Sequence, residues 1–176
     1  MMMRRRVFYS YDEVEDNFRA ENVRTFAALE GNSPASFSAL KAFEEGGDEA
    51  VMHWINNQMN GRQCTIVLIG PTTARHGWTY YEIVKAWNEG MGVVGLFIHG
   101  LKNARGSFSA KGTNPFDHVT FEENGATLSS VAKCYDPTAK DQKTSFDWIA
   151  KNLHLAVEEA IRIRGQHQYE KIIYQP

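Results

Sequence analysis

Two rhythms alternate along the chain: short, continuously apolar runs, and longer stretches in which apolar side chains recur at helical spacing. The run "RVFYSY" (6–11) reads as a first strand. Val14, Phe18, Phe26 and Leu29 then share one broad face, which predicts a packed helix with Asp12 placed to cap it. "GNSPASFS" (31–38) is loop chemistry, with a brief edge strand expected near Phe37. Val51, Trp54, Ile55 and Gln58 line one side of a helix expected over 48–59. "CTIVLIG" (64–70) and "GVVGLFIHG" (92–100) are apolar throughout, the pattern of strands covered on both faces in a parallel sheet. Between them Pro71, Thr72 and Thr73 break the strand and lead into a further helix. A long polar loop spans 103–118, and loops of that length are often functional. A short strand is expected near 132–135. Phe146, Ile149, Ala150, Leu153, Val157, Ala160 and Ile161 then mark a last helix, with Trp148 and Leu155 off its stripe.

Strands alternating with helices predict a three-layer, doubly wound α/β domain with a mainly parallel sheet over residues 1–164, followed by a tail at 165–176. Such sheets bind ligands outside the carboxyl ends of their strands. The loops after Tyr11, Gly70 and His99 are therefore expected to meet at one crevice.

Composition narrows the function classes. The 176 residues carry a formal net charge of -2, which gives no electrostatic case for nucleic acid or an anionic membrane. The basic start "MMMRRR" is not followed by an apolar segment, and no stretch reaches the length of a membrane span. With only Cys64 and Cys134, the chain reads as a reduced, cytoplasmic protein. It has no G-x-G-x-x-G, no phosphate-binding P-loop and no G-x-S-x-G, so a resident dinucleotide cofactor is not expected. The six histidines show no metal-ligand spacing, and no metal is expected. "DEVEDNFR" after the first strand is too acidic to cradle a flavin phosphate readily, and Gly70-Pro71 stand where a receiver domain needs an acceptor Asp.

The ring-rich stretch "GWTYYEIVKAW" (77–87) holds a single acid, Glu82. At helical spacing Tyr80, Ile83, Val84 and Trp87 form the core face. Glu82 points roughly the other way, beside Trp78 and Lys85. On the residues alone, Glu82 is either an exposed carboxylate in the early helix or a substrate group. Trp78 is either packed against a loop or a stacking platform.

Three segments change that balance. "RVFYSYDEVEDNFRAENVR", "CTIVLIGPTTARHGWTYYEIVKA" and "KGTNPFDH" resemble, in order and spacing, the TIR-like proteins of the bacterial Thoeris anti-phage system. The resemblance covers residues 6–118. It implies a flavodoxin-like fold and an enzyme that consumes NAD as substrate, cleaving the nicotinamide–ribose bond. The implied product is a cyclic or rearranged ADP-ribose that activates a separate effector. Glu82 matches the catalytic glutamate and Trp78 the ring one turn before it. Ser10, Tyr11 and Asp12 match the loop after strand one, and Asn114 the polar position of the third segment; these five are the expected substrate-binding residues. The resemblance further implies a homo-oligomer when active, for which an exposed Trp148 and Leu155 would offer surface; the alternative packs both under the tail. The competing functional readings are a non-catalytic TIR-type interaction module and a flavodoxin-like nucleotide-binding domain.

Overall fold

The computed structural model describes residues 4–33, 45, 47–137 and 141–176. The first strand, β1 (Arg6–Ser10), leads through a turn to α1 (Asn17–Phe26) and the two-residue strand β2 (Glu30–Gly31). Then come α2 (Gly47–Met59), β3 (Cys64–Ile69), α3 (Gly77–Asn88) and β4 (Gly92–Phe97). After the long loop lie β5 (Val119–Phe121), β6 (Cys134–Tyr135), α4 (Gln142–Gln166) and β7 (Ile172–Tyr174). The edge strand expected near Phe37 lies outside the described residues; the observed edge strand β2 comes earlier.

Five strands form one sheet in the order β2-β1-β3-β4-β6, and every pairing in it is parallel. This is the flavodoxin-like order, in which the chain reverses its winding between β1 and β3. β3 and β4 are buried at every position, as their unbroken apolar runs require. Alternation splits their side chains between two cores. Tyr9, Ile66, Leu68, Val94 and Leu96 meet α1 and α4 on one face. Phe8, Val67, Ile69, Val93 and Phe97 meet α2 and α3 on the other.

Two expectations are corrected. α1 does not bury most of the stripe read from its sequence: Val14 is 75% exposed, Phe18 48% and Phe26 41%, while Leu29, beyond the end of the helix, is in the core. Arg19, Ala20 and Val23 face inward instead, because the helix begins only at Asn17 and the preceding residues form a separate turn. Asp12 caps that turn, its Oδ1 accepting from the backbone N–H groups of Val14 and Glu15, both at 3.1 Å. On α4, Ala150 is exposed and Ser145, Ala156, Ile163 and Arg164 complete the buried face.

The last residues, read as a tail, form β7. It pairs antiparallel with β5 and packs along α3. Tyr174 stacks on Tyr80 with ring centroids 3.8 Å apart. The Trp87 indole donates to the Glu170 carbonyl at 2.9 Å, and the Asn88 amide pairs with both backbone groups of Ile172. The tail thus covers α3, and its contact with α4 runs through Arg164, which donates to the His167 and Gln168 carbonyls. Leu155 stays exposed, while Trp148 lies half-buried against the Tyr135 ring.

Tyr80 and Trp87 are buried as their spacing predicts. Replacing either by Ala is expected to lower the unfolding free energy by about 3–5 kcal/mol, the usual cost of emptying an aromatic core position. Urea denaturation measures this, and a loss of about 1 kcal/mol or less would contradict the packing described.

Candidate active site at the sheet switch point

β1 and β3 run side by side, and their chains leave the sheet to helices on opposite faces. That divergence opens a crevice at their carboxyl ends. Ser10 is the last residue of β1; Gly70 follows β3 directly. From Gly70 the chain makes a short turn stabilised by Thr73, whose hydroxyl accepts from the Gly70 N–H at 2.8 Å, and enters α3 at Gly77.

Glu82 lies on the second turn of α3, and here the sequence reading is corrected. The residue does not point away from the packed side: it is only 8% exposed, next to Ile83 and the buried Thr79. It sits on the shoulder of the core face, which the end of β1 covers. The Ser10 hydroxyl donates a hydrogen bond to Glu82 Oε2. Burial pushes the Glu82 carboxyl up to about 8, against the lowering effect of the Ser10 bond and with a smaller push from the charge of Glu13. Glu13 is itself raised to about 7 by burial, with the Tyr11 hydrogen bond and the charge of Arg24 opposing.

Asp12 binds the two crevice loops together. Its Oδ2 accepts from the Thr72 hydroxyl at 2.8 Å and lies 2.7 Å from His76 Nε2. Burial alone would raise its carboxyl, but these partners and the backbone N–H groups of Glu15 and Val14 outweigh that and hold it below the usual range. Two acids within one crevice are therefore driven in opposite directions by their surroundings.

The other sequence candidates fall differently. Tyr11 packs into the core on the α1 side, with Arg24 Nη2 donating to its hydroxyl at 3.4 Å. Trp78 is half-buried, its ring edge-to-face with Tyr81 at 5.6 Å. Asn114 starts a turn: its Oδ1 accepts from the Phe116 N–H at 2.9 Å and from the Cys134 thiol at 3.4 Å. The structure thus joins Ser10 to Glu82 and ties Asp12 to the next loop, while Tyr11, Trp78 and Asn114 make their recorded contacts elsewhere. Thr72, His76 and Glu13 were missed by sequence reasoning. Their only signal was position, in the two short loops that flank the switch point.

The family described as "Thoeris protein ThsB, TIR-like domain" matches residues 8–103, a span that runs from within β1 through β3, α3 and β4. This chain belongs to that ThsB TIR-like family. A relative from Bacillus cereus (strain MSX-D12), named "Putative cyclic ADP-D-ribose synthase ThsB1", is 33% identical over 126 residues. The alignment covers 68% of this chain and 65% of the relative, so the chain spans just under two thirds of that protein's length. No helix among the described residues of this ThsB-family chain is long and apolar enough to cross a membrane.

The raised carboxyl of Glu82 has a consequence for stability. In the unfolded chain a glutamate titrates near about 4.3; in the folded chain Glu82 titrates at about 8. Between those values the folded state holds a proton that the unfolded state has lost. The stabilisation is complete below the unfolded value and is lost as pH rises through the folded one. Glu82→Gln cannot titrate, so the difference between the two proteins reports Glu82 together with its coupling to Glu13. The stability of the wild type relative to Glu82→Gln is expected to fall between about pH 5 and pH 8 and then level off. Denaturant titrations across that range measure it, and a pH-independent difference would refute the buried, protonated carboxyl.

Proposed function

We propose that the protein cleaves the nicotinamide–ribose bond of NAD and joins the ribose to another part of the same molecule, giving a cyclic or rearranged ADP-ribose signal. Glu82 is the catalytic residue in this reading, Ser10, Asp12, Trp78 and Asn114 line the substrate, and Tyr11, expected beside them, supports the loop from the core instead. The observation that supports it is the buried Ser10–Glu82 pair at the switch point, in a chain of this family. The name of the Bacillus relative supports the same product class.

In NAD the nicotinamide nitrogen is cationic. When the glycosidic bond breaks, its electron pair leaves with nicotinamide, which departs neutral, and positive charge moves to the ribose. A carboxylate beside the ribose stabilises that developing charge, as in glycoside cleavage. A hydroxyl or ring nitrogen of the adenosine half then attacks the anomeric carbon to give the cyclic product, and a hydroxyl loses its proton in doing so. If water attacks, linear ADP-ribose and a proton result. Cyclisation over hydrolysis is a matter of positioning and of excluding water.

Buried beside Ser10, Glu82 holds its proton at neutral pH in the free protein. A cationic nicotinamide entering the crevice favours the ionised form, so binding the substrate releases the proton and readies the acid. Assembly of several copies, and an effector reached through the product rather than by direct contact, belong to the same proposal.

Mass analysis of the nucleotides in cells challenged with phage tests it, with NAD loss and a cyclic product expected for the wild type and neither for Glu82→Gln. With purified, active protein, kcat/KM should rise with pH about tenfold per unit and flatten near pH 8, because the free protein must ionise Glu82. Intact NAD in the challenged wild type, or a pH profile without that limb, would count against the reading. Asn114 separates two roles. Asn114→Ala removes the turn cap and is expected to cost about 1 kcal/mol. Asn114→Asp keeps an accepting oxygen and the fold, and should still lose turnover about tenfold if the amide N–H groups meet substrate.

A further inference from the structure

Outside the Ser10–Glu82 pair, a second enclosed polar arrangement at this edge is centred on Arg19. The side chain is 3% exposed and its three nitrogens are each engaged. Nη1 bonds Asp16 Oδ1 at 2.8 Å, Nε donates to the Leu101 carbonyl at 2.9 Å, and Nη2 donates to the Ser107 carbonyl at 3.4 Å. Both carbonyls belong to the loop after β4. Between them the loop winds on Asn103, whose Oδ1 accepts from the N–H groups of Arg105 and Ser107 at 3.0 Å. Arg19 therefore holds this turn at both ends.

Asp16 carries the contact further. It is fully buried, and its second oxygen has no hydrogen-bond partner among the described residues. That oxygen lies against Gly70: a Cβ added there would come within 2.0 Å of it. On its other side Gly70 meets the same long loop, since a Cβ on Gly112 would come within 2.0 Å of the Gly70 carbonyl. Side chains are excluded at both glycines by these approaches. Arg19, Asp16, Gly70 and Gly112 thus form one stack, joining α1, the turn after β3 and the loop after β4. One turn earlier, Asp12 joins the same two first loops through Thr72 and His76.

A buried ion pair is a poor way to gain stability, since apolar replacements are often as stable or more so. What it supplies here is direction: a planar guanidinium fixes two carbonyls and a carboxylate at once, which an ammonium cannot do. We propose that Arg19 is a positioning residue, which seats the 101–112 loop on the Gly70 turn and so forms the β4-side wall of the Glu82 crevice without touching substrate. The functional part rests on the proposed NAD cleavage. With the wall seated, water is kept from the ribose and the adenosine half is the available nucleophile. With it loose, linear ADP-ribose accumulates.

The test uses full-length Arg19→Lys, Arg19→Gln and Gly112→Ala proteins, the last loosening the same contact from the loop side. Amide hydrogen exchange of residues 101–112 requires no substrate; at least tenfold faster exchange there is expected in all three, with α2 and β3 unchanged. In NAD assays the ratio of linear to cyclic product should rise several-fold, with KM increasing more than kcat falls, and Lys should not rescue. Wild-type exchange in the loop of Arg19→Gln and Gly112→Ala overturns the proposal. So does an unchanged product ratio in variants whose loop exchanges faster. If the wild type leaves NAD intact, the NAD reading fails, and the exchange data still decide whether Arg19 seats the loop.

Discussion

The hydrogen bond from the Ser10 hydroxyl to the Glu82 carboxyl spans 72 positions of sequence and joins the end of β1 to the helix that follows β3, across the point where the sheet reverses its winding. It requires β1 and β3 to be neighbours, α3 to lie on the α2 side of the sheet, and the second turn of α3 to face the end of β1. It also encloses an acid that composition would leave in water. Removing a carboxylate from water is costly unless it is neutralised or paired. Here a single hydroxyl partner only partly offsets burial, so the group keeps its proton near neutral pH.

Asp12 shows the opposite solution a short distance away. It lies less deep than Glu82, and three donors, the Thr72 hydroxyl and the N–H groups of Val14 and Glu15, together with the nearby His76 hold its carboxyl below the usual range. Unequal solvation thus gives two carboxyls different charge states at one pH, the arrangement from which acid and base roles are drawn in enzymes. In this chain the ionised one ties the two loops together, and the neutral one is enclosed against Ser10.

The helix that carries Glu82 is braced from behind. β7 lies along α3, stacking Tyr174 on Tyr80 and bonding to Trp87 and Asn88, while Arg164 of α4 donates to the Trp87 carbonyl at 2.8 Å. Tyr80 in turn donates its hydroxyl to the Ala74 carbonyl at 2.6 Å, in the turn that leads to His76. The C-terminal strand, α3 and the crevice turn are therefore mechanically continuous. Tyr80 and Trp87 serve the core, as their spacing implied, and through it they fix where Glu82 stands.

The amino-acid pattern by itself determined the parallel sheet, because β3 and β4 are apolar at every position and only a strand covered on both faces tolerates that. It determined α3 and its aromatic core face, and the resemblance to the Thoeris TIR-like family marked Glu82 and Ser10. Other features were decided only by the tertiary structure. Helical spacing reports which residues share a face, and it does not say how far a neighbouring element reaches around that face. So Glu82 reads as outward until the end of β1 covers it, and Phe18 reads as inward until the late start of α1 turns it to solvent. β7 has no periodicity in three residues and exists because β5 and α3 offer it partners. Arg19 looks like any helix arginine in sequence; its partners, Leu101 and Ser107, lie more than eighty positions away. Local sequence carries local preference, and contacts at that separation are set only when the whole chain has packed.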